Sequence, residues 1–93
     1  MPSSTYTWEK VQFELSAKSG SQVFVAGTFN NWNPRASRLK DNPDSGHFKA
    51  TLRVPRGTHE YKFIVNDIWI LDPKNAKWAT NACGSLNSML YVS

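Results

Sequence analysis

A chain of 93 residues is the size of one domain with one small hydrophobic core. With 40% hydrophobic and 19% charged residues it is composed for folding rather than disorder, and its one cysteine excludes an internal disulfide framework and a four-cysteine zinc site. The net charge of +4 comes from 11 Lys and Arg spread from Lys10 to Lys77 with no basic run, so solvated charges are expected and nucleic acid is not expected as a partner.

Met1 to Trp8 contains neither a basic n-region nor an apolar h-region, so it does not read as a signal peptide. No apolar run approaches the ~20 residues of a membrane span, so no membrane partner is expected. With a free thiol and no signal, a cytoplasmic location is expected. Residues 1–8 read as an N-terminal extension and 9–93 as the folded domain.

From there the chain alternates with the period of strands. Val11, Phe13 and Leu15 alternate with Gln12 and Glu14, a half-buried strand. Lys18-Ser19-Gly20-Ser21 signals a turn, and Val23-Phe24-Val25-Ala26 a short apolar strand. Phe48, Ala50, Leu52 and Val54 alternate with Lys49, Thr51 and Arg53, the cleanest such segment. Pro55-Arg56-Gly57 suits a type I turn. Tyr61, Phe63 and Val65 form another strand, Ile68 to Leu71 resumes after a tight corner, and a last strand runs near Ser88–Val92. About seven short strands, without a helical period, predict an all-β fold, an antiparallel β-sandwich. The stretches 27–47 and 72–87 read as long irregular loops, which tend to carry function.

Asn66-Asp67 fits a two-residue hairpin loop, because both residue types tolerate the left-handed conformation. Val65 then pairs with Ile68, Ile64 with Trp69, Phe63 with Ile70 and Lys62 with Leu71. Tyr61, Phe63, Val65, Ile68 and Ile70 fall on the inner face; Lys62, Ile64, Trp69 and Leu71 fall on the outer one. A tryptophan diagonal to a lysine suits a sugar, whose apolar ring face stacks on the indole while the ammonium donates to hydroxyls. The same pair also suits cross-strand packing beneath a loop, the commoner use, and the geometry alone leaves both readings open.

Catalytic constellations are missing. His47 and His59 have no metal-ligand spacing, so no metal or other cofactor is expected. Asp67 and Asp72 sit beside turn signals rather than forming a glycosidase pair. Cys83 has no adjacent histidine, and no phosphate-cradling glycine motif occurs. The residues describe a binder rather than an enzyme.

Three stretches carry a resemblance: Val23-Phe24-Val25-Ala26-Gly27-Thr28-Phe29-Asn30-Asn31-Trp32; Gly57 to Trp69, followed by Asp72-Pro73; and Gly84-Ser85-Leu86-Asn87-Ser88. Together they resemble the glycogen-binding domain of the AMP-activated protein kinase β subunit and its relatives, carbohydrate-binding module family forty-eight. The resemblance covers roughly residues 9–92. It implies an immunoglobulin-like sandwich of the early set and an α-1,4-glucan ligand, a polysaccharide such as glycogen or starch, or an oligosaccharide. It also implies site roles: Trp32 and Trp69 stack on glucose units, Lys62 and Asn87 bond hydroxyls, and Ser85 takes the place of a small hydroxyl residue.

The sequence departs from that pattern before Gly84. The loop Lys77 to Cys83 is one residue longer, and Cys83 or Ala82 stands where the family's kinase version has a leucine that enters a cyclodextrin ring, which weakens or removes that contact. Trp78 is expected to pack beneath this loop, with a third platform as the other reading. Modules of this kind also pack against catalytic domains, so a protein partner that has replaced the sugar is the rival expectation.

Overall fold

Inward-facing residues of two half-sheets build the core: Phe13, Leu15, Phe48 and Val54 on one side, Val23, Val25, Tyr61, Phe63 and Val92 on the other, with Leu39 where the halves join. The structure is a computed structural model and describes residues 7–42, 45–80 and 84–93. Eight strands follow one another: β1 Trp8–Ser16, β2 Val23–Gly27, β3 Arg38–Asn42, β4 His47–Pro55, β5 Gly57–Val65, β6 Ile68–Ile70, β7 Trp78–Thr80 and β8 Leu86–Val92.

All pairings are antiparallel, in the order β1-β4-β3-β2-β5-β8-β7, with β6 also on β5. The sheet curls into the sandwich-like form expected, because β3 serves both halves. Its Lys40, Asp41 and Asn42 pair with β4, whereas Arg38 and Leu39 pair with β2. β1 and β4 run against each other over nine rungs, from Trp8 opposite Pro55 to Ser16 opposite His47. Arg56 then carries the chain across to the other half, its N–H donating to the Thr7 carbonyl at 2.9 Å.

Two strands lie inside the stretches expected to be irregular. β3 has one buried apolar side chain, Leu39, and β7 has only three residues, so neither carries a readable period of two. Both exist because a neighbouring strand offers them a ladder. On the other edge of β5, Gly57–Tyr61 pairs with β8 and Phe63–Val65 pairs with β6, so one long strand organises two short partners.

Candidate functional site

The β5–β6 hairpin has the expected register, Val65 to Ile68, Ile64 to Trp69 and Phe63 to Ile70; β6 ends there, before a Lys62–Leu71 rung. Asn66 and Asp67 have φ of 48° and 69°, the two left-handed positions of a type I′ turn. The Asn66 side chain fixes the turn by accepting the Gln22 N–H at 2.9 Å. Trp69 therefore shares a face with Ile64 and lies diagonal to Lys62. It remains 44% exposed, whereas Ile64 is only 3% exposed. The outer-face Ile64 is thus buried, and the inner-face Ile68 is 65% exposed because the hairpin overhangs the core. Trp69, Ile64 and Phe24 wall a cleft of about 140 Å3 whose remaining sides are Pro34, Arg35 and Asp67.

Pro34 and Arg35 belong to the loop that follows β2, and the residues Gly27 to Trp32 fold it. A Cβ on Gly27 would lie 2.4 Å from the Glu60 carbonyl oxygen and 2.7 Å from the Phe29 ring, so glycine is required there by contact. The Gly27 N–H donates to Asn30 Oδ1 at 3.0 Å, and its carbonyl accepts the N–H of Asn30 at 3.1 Å and of Trp32 at 2.9 Å. Asn30 Nδ2 donates to the Val25 carbonyl and to Ser37 Oγ. Phe29 packs on Phe13 and edge-on to His59. Nε2 of His59 meets the Pro55 carbonyl at 2.7 Å, an acceptor only, so Nε2 carries the proton and Nδ1 accepts the Thr28 hydroxyl at 2.7 Å. This frame holds Asn31 at φ 57° and the half-buried Trp32 at φ 56°. A left-handed tryptophan costs about 1–3 kcal/mol, a strain that concentrates at functional positions.

On the same outer face, β8 places Asn87 beside β5. Its Nδ2 donates to Glu60 Oε1 at 2.9 Å, and Asn87 is 5% exposed. Glu60 is the residue that sequence reasoning passed over. Lys62 is half-buried, and among the described residues it forms no ion pair. Ser85 is exposed, next to the left-handed Gly84 at φ 82°. Cys83 and Ala82, the expected ring-entering contact, lie outside the described residues. Trp78 is 55% exposed rather than packed, and its register opposite Ser88 places it on the other face of β7 from the neighbour of Asn87, Ala79.

The segment after Trp69 is tied back to β5 and β8. The Tyr61 hydroxyl donates to Asp72 Oδ2 at 2.7 Å, Asp72 N–H donates to Ser88 Oγ at 2.9 Å, and Asn75 Nδ2 reaches both Tyr61 and the Met89 carbonyl. Burial, and then the Asp72 hydrogen bond, push the Tyr61 phenol well above its ordinary value. Asp72 and Asp67 thus serve local structure. Among the described residues no cluster of three His, Cys, Asp or Glu could hold a metal, and no helix is long and apolar enough to cross a membrane.

A sandwich with the exposed Trp69 diagonal to Lys62 on one outer face fits the class of carbohydrate-binding modules. The model of a family described as the glycogen recognition site of AMP-activated protein kinase matches residues 10–93, and the chain belongs to that family. It is 36% identical over 76 residues to the 5'-AMP-activated protein kinase subunit beta-2 of Mus musculus and of Homo sapiens, covering 82% of this chain and 27% and 26% of theirs. It is also 36% identical over 73 residues to subunit beta-1 of Sus scrofa, covering 78% of this chain and 56% of that one. The chain spans about a quarter of the length of the beta-2 relatives it matches.

Proposed function

We propose that this chain is a non-catalytic module that binds α-1,4-linked glucan through the outer face of β5 and β6 and the loop after β2. Trp32 and Trp69 stack on glucose units, and Lys62, Asn87 and Ser85 fix the register of the sugar through its hydroxyls. The observation that carries this reading is the hairpin register, which sets the exposed Trp69 diagonal to Lys62 while Pro34 and Arg35 of the Trp32 loop wall the same cleft. Asn87 enters through its amide edge opposite Glu60. Trp78 is left out of the set because its register turns it away.

A neutral sugar is held without charge, so stacking carries most of the affinity. Two open platforms contribute about 1–3 kcal/mol each, by analogy with base stacking, or about 2–6 kcal/mol together; with the hydroxyl contacts added, the expected affinity is micromolar to millimolar. The relatives are subunits of a kinase, and we infer that the module works inside a larger assembly.

The test is a titration of tryptophan fluorescence with maltoheptaose or β-cyclodextrin, with cellohexaose as the β-linked control. The expected result is a saturable change with the α-linked sugars alone. A flat response up to ~10 mM, the range of millimolar binding, would contradict the proposal; the protein-partner reading would then take its place.

A further inference from the structure

The cations that are scattered in sequence converge in the fold. On the outer face of β1, β4 and β3, Lys10 stands directly opposite Arg53, and Lys49 directly opposite Lys40. Like charges in directly opposed positions destabilise a sheet. Arg38 follows two residues before Lys40 on the same side of β3. Glu14, the one carboxylate of that face among the described residues, stands directly opposite Lys49 and is held by His47 at 2.7 Å, which leaves Arg38, Lys40, Lys10 and Arg53 without an opposed carboxylate there. Asp41 lies on the other face of β3, where Ser19 donates to it. Arg53 is held 4.5 Å over the Trp8 ring.

The same place carries an open strand edge. β3 leaves β4 after the Lys40–Lys49 rung and joins β2. Beyond that point Ala50 to Val54 pair with β1 on one side, and among the described residues no strand pairs with their other side. Alternate residues of such an edge present N–H and C=O groups to whatever enters. The divergence opens a cleft of about 500 Å3, lined by Ala50 to Leu52 of this stretch with Gln12, Arg38, Lys40 and Lys49, and Arg53 follows at its end.

We propose that this cleft binds an extended acidic peptide, which adds as a strand to the Ala50–Val54 edge of β4 and sets carboxylates at every second residue against Arg38, Lys40, Lys49 and Arg53. The edge supplies main-chain hydrogen bonds, and the cations supply the choice of side chain. A single-stranded nucleic acid is served less well, because among the described residues the aromatic ring of this face is Trp8, and Arg53 already stacks on it.

The test is amide chemical-shift mapping on the chain with a capped peptide of alternating threonine and glutamate. The expected result is shifts centred on residues 38–40 and 49–54, abolished when every second peptide nitrogen is methylated. Lys40→Glu places a carboxylate opposite Lys49, which removes the like-charge pair without harming the fold. It should weaken the peptide about tenfold, the effect of losing and reversing one charge contact, and leave β-cyclodextrin binding unchanged. Three results would overturn the proposal: no shifts along 49–54, equal binding of the methylated peptide, or equally tight binding of an oligouridylate of the same charge.

Discussion

Gly27 shows how a single position governs the site. With the Glu60 carbonyl 2.4 Å from any added Cβ, Gly27→Ala must push β5 and β2 apart. The expected cost is about 1–3 kcal/mol in urea unfolding, together with loss of sugar binding, because the Gly27 carbonyl anchors the Trp32 N–H. Trp69→Ala should behave oppositely. It removes a side chain that is 44% exposed, so the fold should persist by circular dichroism while binding falls by about 1–3 kcal/mol. A coincident loss of folding would make Trp69 a packing residue instead. At this scale the placement of Trp69 diagonal to Lys62 was legible in the sequence, but the supports of Trp32 were not. The bonds of Asn30 to Val25 and Ser37, and of Thr28 to His59, join residues brought together only by the closed sandwich.

The β5–β6 hairpin was legible because its turn residues and its alternation agree on one register. Asp67 sits at φ 69°, a conformation that glycine adopts without the steric penalty of a side chain. Asp67→Gly should therefore stabilise the protein by about 0.5 kcal/mol, raising the melting temperature by about 2–4 °C for a domain of this size. Its exposed ion pair with Arg35 at 3.8 Å contributes little and should not reverse the sign. β3 and β7 escaped the sequence reading for the opposite reason. Arg38-Leu39-Lys40-Asp41-Asn42 reads as a polar loop, and only the ladders of β4 and β2 make it a strand. The fate of Trp78 followed the same rule. Its position was set by pairing with β8, which no local pattern in residues 72–87 announced.

Across the whole molecule, the two outer faces of the sandwich differ in chemistry: one sets Trp69 among charges of both signs, Glu60, Lys62, Arg35 and Asp67, and the other is mainly cationic. Net charge read along the chain gave the sum but not this arrangement. Titration should expose the network beneath the aromatic face. The Tyr61 phenol is raised in the folded state, so its contribution to stability is complete below the ordinary value of 10.0 and is lost as pH rises beyond it. Tyr61→Phe should flatten that alkaline limb of the stability curve and cost about 1–3 kcal/mol at neutral pH, since Asp72 and Asn75 lose a shared partner. Glu14 has the reverse sign. The His47 hydrogen bond holds its carboxyl below the ordinary 4.5, so its contribution is present above that pH and lost on acidification; Glu14→Gln should flatten the acid limb.

The proposed sugar site stands or falls on which indoles meet the sugar. The direct measurement is two-dimensional NMR of the indole N–H groups of the four tryptophans during addition of maltoheptaose. Trp32 and Trp69 should shift progressively, with Trp8, stacked under Arg53 on the opposite half of the sandwich, unmoved. Shifts at Trp8 with Trp32 and Trp69 unmoved would contradict the proposed site.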